Sequence, residues 1–284
     1  MAKKRYPVQR SGVIRLANAA GSGVVHGNRL MSRWNKRLYR QSRFYQMKIE
    51  VDLSDTDPGP ITVFALRDTW GNQKAYQMAF DVYQKTTEEE RRRLGSKIAR
   101  WQDFTVQSGN ASSELLGAVY DHDGTESTLQ GGEFNDTQVE DKAGNTMTFT
   151  WGNAVANSSY SIVSEYDLKA DTGDDPSHGL AEVLPYDEQL SDDSDVERNQ
   201  LVNRGNAPPY DRDGFGSRWE KVAVLRRLPG EQKLSTGYFT APCGFAVVTG
   251  LNASGITRLN IEFKAGDYKG INAPSMLELS LIHI

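Results

Sequence analysis

The chain has 284 residues, 38% of them hydrophobic, and a formal net charge of −4 at pH 7. This length and composition can supply a sizeable core, which excludes an intrinsically disordered chain. No stretch approaches the roughly 20 apolar residues of a membrane-spanning helix, the first residues lack the apolar block of a cleaved signal peptide, and the single cysteine, Cys243, excludes an intrachain disulfide. We therefore expect a folded protein with no membrane partner.

The charges are divided unevenly along the chain. Residues 1–49 contain twelve of the 33 Lys and Arg residues and no Asp or Glu, so the remainder holds 21 basic against 37 acidic residues. Lys and Arg displace counterions from phosphates, and a basic segment on an acidic body fits a protein whose surfaces face different partners. We predict a basic N-terminal arm over residues 1–43 and a folded body over 44–284. A solvated, disordered tail is the alternative explanation.

The run 29–43 adds an amphipathic pattern to this charge. At about 100° per residue, Leu30, Met31, Trp34 and Leu38 fall on one side of a helix, and the basic residues of the run fall on another. Such a helix docks its apolar side on a body or partner and offers its charges either to phosphates or to an anionic membrane. The short apolar side favours phosphates.

The phosphate contacts are assigned to the basic residues of the arm. They are Lys3, Lys4, Arg5, Arg10, Arg15, Arg29, Arg33, Lys36, Arg37, Arg40 and Arg43. Contacts of this kind position a nucleic acid without reading its sequence. Trp34 and Tyr39 are candidates for stacking on unpaired bases if their rings are exposed, although such a Trp more often packs in a core.

The first predicted strand follows the arm. Residues 11–28, rich in Gly and small side chains, are predicted to be a linker, and the clearest strand lies at 45–53, where apolar and polar residues alternate with a period of two. A turn over 55–60 leads to a more buried strand at 61–66. The two strands form either a hairpin or a sheet corner.

Residues 72–100 depart from this periodicity and are predicted to be a helical insertion. Apolar residues of 75–82 follow helical spacing, and Thr87 followed by Glu90 is a capping-box signature for a second helix. Three acids and then three arginines over 88–93 suit the helix dipole and pairing one turn apart. A solvated helix face is the better interpretation of this charge cluster.

From Trp101 onward, short apolar stretches separated by turns recur at intervals of roughly ten residues, the spacing of a β-sandwich or barrel. The predicted strands are 103–107, 115–120, 146–151, 160–166, 219–228, 236–240, 245–249, 258–264 and 276–284. An acidic, polar loop insertion spans 165–218. A loop of this length inside a compact domain is usually functional or disordered.

The sequence offers no catalytic cluster. Its four histidines are widely separated without zinc-binding spacing, and no nucleophile elbow or phosphate-binding loop is visible, so we expect neither enzyme activity nor a cofactor. Asp121, Asp123, Asp211 and Asp213 lie in two Asp-x-Asp-Gly turns that offer the oxygen ligands of Ca²⁺, but neither completes an EF-hand loop. Solvated turns are the alternative; a calcium ion would bind between subunits.

Five stretches carry a family resemblance. They are Asn35-Lys-Arg-Leu-Tyr-Arg-Gln-Ser-Arg43, Trp70 with Lys74-Ala-Tyr76, Glu88-Glu-Glu-Arg91, Ala99-Arg-Trp-Gln-Asp-Phe104 and Gly237-Tyr-Phe-Thr-Ala-Pro-Cys-Gly244. They resemble capsid proteins of circular single-stranded DNA viruses that encode a rolling-circle replication protein.

The resemblance implies a fold, an assembly and a place of action. The fold is all-β, an eight-stranded viral jelly-roll sandwich with a helical insertion and a basic N-terminal arm. Its copies form an icosahedral homo-oligomer, with the arm inside against packaged single-stranded nucleic acid, DNA being favoured, and loops outside that meet a host receptor. The protein would be found in the virion and, during assembly, in the host nucleus or cytoplasm.

Two other classes of protein stay open. One is a non-viral β-sandwich that binds glycans or builds a surface assembly, and it predicts that no nucleic acid is retained. The other is a hydrolase with a carboxylate pair, which predicts that an activity is lost when one carboxylate is changed.

Overall fold

The computed structural model describes most of the chain. The described residues are 7–14, 21–110, 112–115, 117, 119–120, 122–125, 135–171, 218–251 and 255–277. No helix among them is long and apolar enough to cross a bilayer.

Fourteen strands and four α-helices are formed by these residues. In chain order they are β1 (Ser11–Ile14), β2 (Gly21–His26), α1 (Gly27–Asn35), β3 (Phe44–Leu53), β4 (Ile61–Leu66), α2 (Trp70–Thr86), α3 (Glu88–Leu94), β5 (Ser113–Leu115), β6 (Gln138–Glu140), β7 (Thr146–Thr150), β8 (Ser159–Ser161), α4 (Ile162–Asp171), β9 (Trp219–Leu225), β10 (Lys233–Pro242), β11 (Phe245–Leu251), β12 (Ile256–Phe263), β13 (Ala265–Gly266) and β14 (Gly270–Ile271). A short 3₁₀ turn, Gly95–Lys97, follows α3.

Two facing sheets make an all-β sandwich, as the strand spacing predicts. The first sheet has the order β1-β12-β3-β10 with every neighbour antiparallel, and the second has the order β5-β2-β11-β4-β9, in which only β5 is parallel to its neighbour. Strand β3 alternates as predicted, with Met47, Ile49 and Val51 buried between the sheets. Ile61 and Val63 of β4 face them from the second sheet, so the turn between β3 and β4 is a sheet corner rather than a hairpin.

The predicted arm over 1–43 and its linker over 11–28 are wrong for the described residues, because two strands and a helix of the sandwich are formed there. Ile14 of β1 pairs with Leu259 of β12, and β2 pairs with both β11 and β5. The small residues serve close packing: a Cβ on Gly12 would lie 2.4 Å from the Trp34 ring. The basic residues of α1 and the following loop therefore belong to the folded body.

The helical insertion is confirmed, and with three short strands it covers the outer face of the second sheet. Tyr76 of α2 stacks on Trp151 at 6.3 Å, and Phe104 packs edge-on against Phe149 at 5.4 Å. The capping box does not form, because Thr87 directs its hydroxyl back to the Tyr83 carbonyl at 2.7 Å where α2 continues into α3. The second sheet is thereby buried on both faces.

Several predicted strands have another structure. Residues 103–107 form no strand beyond one bridge at Gln107, and β5 lies at 113–115 rather than 115–120. The 160–166 stretch contains the end of β8 and the start of α4, and Ile162 and Val163 are buried in the same cluster as Tyr76 and Ala79 of α2. Residues 172–217 of the acidic insertion and 278–284 of the last predicted strand lie outside the described residues.

Candidate nucleic-acid interface

The loop from α1 to β3 carries the densest basic sequence, and its course is set at the end of α1. Leu30, Met31 and Trp34 are buried, as the amphipathic pattern predicts. Lys36 then adopts the left-handed conformation with φ 49°, and its N–H donates to the Ser32 carbonyl. This turn ends the helix and directs residues 37–43 across one end of the sandwich.

The β13–β14 hairpin fixes this loop in place. The Tyr39 hydroxyl donates to the Lys269 carbonyl at 2.9 Å, and the Lys269 ammonium donates to the Leu38 carbonyl. The Tyr268 hydroxyl accepts the backbone N–H of Arg40 at 3.1 Å. Loop and hairpin are thus joined by three hydrogen bonds, so the basic side chains project from a rigid frame.

Four cations meet on this frame, and we call Arg37, Arg40, Arg43 and Lys269 the cationic cluster. The Arg43 guanidinium lies 4.0 Å from the centre of the Tyr268 ring and donates to the Ala273 carbonyl at 3.2 Å. Arg37 and Arg40 are exposed, and neither forms an ion pair with any residue that the structure describes.

The pKa of Lys269 shows that the four positive charges lie close together. Burial lowers the pKa of Lys269 first, and the positive charges of Arg37, Arg40 and Arg43 lower it further. An anion that binds beside a protonated lysine among three arginines reduces the repulsion among the positive charges, so its binding is favourable. The cationic cluster is therefore a candidate site for a polyvalent anion.

One carboxylate lies beneath the cationic cluster. Asp103 accepts the backbone N–H of Gln41 at 2.8 Å. Burial raises the pKa of Asp103 to about 6, while the Gln41 N–H and the Arg40 charge act in the opposite direction. At neutral pH this single negative charge leaves the four cations in excess.

Asp103→Asn is expected to stabilise the protein at neutral pH. Between about pH 4 and 6 the folded chain holds a proton on Asp103 that the unfolded chain has released, so this group's contribution to stability falls as pH rises through that window. The free energy of unfolding of the variant should equal that of the wild type near pH 4 and exceed it by up to about 3 kcal/mol at pH 7. Urea unfolding at both pH values measures the difference, and equal stability at pH 7 would contradict the prediction.

Arg29, predicted to contact phosphate, is instead held by two carboxylates. Its guanidinium lies 3.0 Å from Glu114 Oε2 and 2.9 Å from Asp136 Oδ1. The two acids come from distant parts of the chain, so no local pattern indicated them. Arg29 therefore has two carboxylate partners within the folded body.

The other predicted phosphate contacts are dispersed. Arg33 is partly buried on α1, Lys36 is exposed beside the cationic cluster, and Arg10 is exposed just before β1. The remaining predicted residues, Lys3, Lys4, Arg5 and Arg15, lie outside the described residues.

Base stacking by Trp34 and Tyr39 is not supported, because both rings are buried. Trp34 is 8% exposed and Tyr39 is 1% exposed. Trp34 packs edge-on against Phe263 at 6.1 Å and touches Gly12, and Tyr39 packs edge-on against Tyr268 at 5.9 Å. Their burial positions the loop and leaves no ring face for a base.

Calcium has one described candidate ligand. Asp123 is exposed and accepts the backbone N–H of Thr125 at 3.1 Å, a bond that lowers the pKa of Asp123. Asp121, Asp211 and Asp213 lie outside the described residues. In the part of the chain that the structure describes, no group of three His, Cys, Asp or Glu residues could hold a metal ion.

Sequence reasoning missed Lys269, Tyr268 and Asp103. The two hairpin residues join the loop at a separation of about 230 positions, as the Tyr39 to Lys269 hydrogen bond records. The one local signal is Asp-Tyr-Lys-Gly, in which Lys269 has φ 49° and forms a tight turn that displays its side chain.

Comparisons with family models, with curated proteins and with solved structures find no match to this chain.

Proposed function

We propose that the chain is a structural capsid protein whose copies assemble into a closed shell and package single-stranded nucleic acid. The observation that carries the proposal is the cationic cluster, in which two exposed arginines without an ion pair among the described residues stand beside Arg43 and a lysine of lowered pKa. Four cations above a single described carboxylate are suited to phosphates, which they contact without reading sequence.

The strand order supports a jelly roll as the framework of such a shell. Setting aside the short parallel strand β5, eight strands alternate between two antiparallel sheets, β1-β12-β3-β10 and β2-β11-β4-β9. This alternation is what the double Greek key of a jelly roll requires, and it supports that part of the proposal. Jelly rolls occur in viral capsids, in lectins and in cupins, so the fold alone does not decide among them. The basic surface favours the capsid.

The uneven charge of the sequence supports opposite faces with opposite partners. Residues 1–49 are basic throughout, and the remainder carries 37 acids against 21 basic residues. Lys36, next to Arg37 in the chain, and Arg10 are also exposed in the described part of this basic region. A closed shell has an inner surface toward nucleic acid and an outer surface toward solvent, and such a charge division suits both.

The test is to express the full chain, isolate it by size, image it by negative-stain electron microscopy and record its ultraviolet absorbance before and after nuclease and high salt. We expect uniform closed particles that hold nuclease-protected nucleic acid. A stable monomer with a plain protein spectrum would sink the proposal and favour a sandwich that binds a glycan or a protein partner.

A further inference from the structure

Residues 88–102, which we call the projection, stand away from the body. Helix α3 buries no side chain, and residues 92–102 are all exposed. Three of them are large and apolar: Leu94 is 47% exposed, Ile98 is 42% exposed and Trp101 is 49% exposed. A helix of seven residues is marginal when no described residue packs against it, so the projection is a candidate surface for contact with another molecule.

The projection is nevertheless held in a fixed shape, because both of its ends are bound to one buried residue, Tyr83. The Arg91 guanidinium lies 5.3 Å from the centre of the Tyr83 ring and donates to Gln84 Oε1 at 2.7 Å. At the other end, Gln102 Nε2 donates to the Tyr83 hydroxyl at 2.6 Å. A segment that is already ordered loses little entropy when it binds a partner.

An apolar groove that no described residue covers lies beside α2, between α2, α4 and the strands β6 to β8. Its volume is about 500 Å³, and its apolar lining includes Ala79, Phe149 and Ile162, with the half-exposed Val82 at the edge. The charged residues that line it are Glu140, Asp141, Lys142 and Glu165. The groove therefore combines an apolar floor with a net negative rim.

We infer that the projection of one copy inserts Ile98 and Trp101 into this groove on a second copy. Lys97 and Arg100 flank those two side chains, so basic residues on the projection meet the acidic rim of the groove. Apolar burial supplies the attraction, and opposite charges set the orientation.

Charge also argues against coverage of the groove by the acidic first part of the insertion, residues 172–197. Residues 172–197 contain nine Asp and Glu residues and no Lys or Arg. Bringing them to a rim that is itself acidic is opposed by like-charge repulsion, whereas the basic projection is attracted.

The location of both surfaces beside α2 suits a contact between two copies. Val82 lines the groove and its neighbour Tyr83 anchors the projection. A twofold axis next to α2 would place each projection on the other copy's groove and form the contact twice. The inference rests on the proposed function for the identity of the partner, because a shell is built from contacts between copies.

The experiment is sedimentation velocity of the nuclease-treated full chain with two charge-reversal variants. Lys97→Glu/Arg100→Glu reverses the net charge of the projection, and Glu140→Lys/Glu165→Lys reverses the net charge of the rim. Each variant alone is expected to weaken self-association by about tenfold or more, and an equal mixture should restore it because reversed projections meet reversed rims. Arg226→Glu/Arg258→Glu makes the same charge change at exposed arginines elsewhere and should leave self-association unchanged.

The apolar part is tested by Trp101→Ala and Val82→Asp, with Leu228→Ala as the control at a 61% exposed position. The first two should weaken self-association, and all three should retain the wild-type melting temperature. Wild-type association of both reversal variants, or a mixture that restores nothing, would overturn the inference. So would a Val82→Asp variant that destabilises the monomer while Trp101→Ala has no effect, since the groove would then be covered by its own chain.

The outcomes separate this contact from the proposed function. If all of these variants form particles filled with nucleic acid as well as the wild type does, the proposed contact is refuted and the capsid proposal is supported. Pairs that depend on Trp101 and Val82, but never form shells or retain nucleic acid, would support the contact and remove the capsid proposal.

Discussion

Replacing Arg37 and Arg40 by alanine is expected to lower the affinity for single-stranded DNA by about 10- to 100-fold at low salt. Each phosphate neutralised on a single strand contributes about −0.7 to the slope of log affinity against log salt concentration. Loss of two such contacts should make the slope shallower by about 1.4, so the two proteins converge as salt approaches about 1 M.

We choose these two arginines because neither side chain forms a hydrogen bond or an ion pair with a described residue. Their charges also act on neighbouring groups, since Arg40 lowers the pKa of Asp103 and both lower the pKa of Lys269. Arg40 contributes only its backbone to the hydrogen bonds with Tyr268 and Tyr45, and Arg37 is exposed. Arg43 and Lys269, by contrast, bind the Ala273 and Leu38 carbonyls, so their removal would also disturb the loop.

Fluorescence anisotropy of a labelled oligonucleotide, with protein stripped of nucleic acid, measures both the affinity and its salt slope. Arg226→Ala/Arg258→Ala removes the same charge from two exposed positions outside the cationic cluster and should change the slope far less. Equal slopes for the Arg37/Arg40 variant and the wild type would show that the cationic cluster is not the phosphate site.

The secondary-structure predictions that are confirmed are those in which apolar residues recur at a regular spacing because one face of the strand or helix is buried. Strand β3 was visible because every second residue from Tyr45 to Leu53 is buried between the sheets. The apolar side of α1 was visible for the same reason, since Leu30, Met31 and Trp34 all face one core. Burial that repeats along the chain leaves a pattern in the sequence itself.

Strands β1 and β2 were missed because their partners, rather than their own composition, define them. Gly12 and Gly23 stand where Trp34 and Leu115 approach within about 2.5 Å of an added Cβ, so the small residues look like a linker although they pack tightly. The edge strand β1 is held by β12, some 250 positions away, and such pairing cannot be read from a local window.

The site shows the same limit. The loop arginines were predicted from the charge of their segment. The structure brings Arg37, Arg40 and Arg43 close to Lys269, and no local pattern indicated that lysine. Arg29 was predicted by the same rule and is instead bound by Glu114 and Asp136. Charge density in the sequence identifies a basic segment. Contacts with distant parts of the chain decide which of its side chains stay exposed to an anion and which are bound by carboxylates.

His26 is expected to make the fold sensitive to acid. The side chain is 8% exposed beside Phe245, at 4.9 Å between ring centres, and its Nδ1 has no hydrogen-bond partner among the described residues. Burial, with a smaller effect from the Arg29 charge, lowers the pKa of His26 to about 3. Below about pH 6.5 the unfolded chain binds a proton that the folded chain refuses, so stability falls as pH falls toward 3.

His26→Phe keeps a ring against Phe245 and removes this titration. In the wild type, the neutral His26 lowers the free energy of unfolding by about 1.4 kcal/mol for each pH unit below about 6.5. The variant does not lose this stability, so its advantage over the wild type should be about 3 kcal/mol larger at pH 4 than at pH 7. Urea unfolding across this range measures the difference, and His122→Gln, at an exposed histidine, should follow the wild type. A difference that is constant with pH would contradict a buried neutral His26.

The two buried titrating groups act in opposite directions over one window. Between about pH 4 and 6, a proton held by folded Asp103 raises stability as pH falls, and a proton refused by folded His26 lowers it by a similar slope. Their effects largely cancel in the wild type. Asp103→Asn should therefore expose the acid sensitivity caused by His26, and His26→Phe should expose the opposite slope caused by Asp103. If each variant instead kept the wild-type pH profile, neither group would have the pKa that its burial gives it.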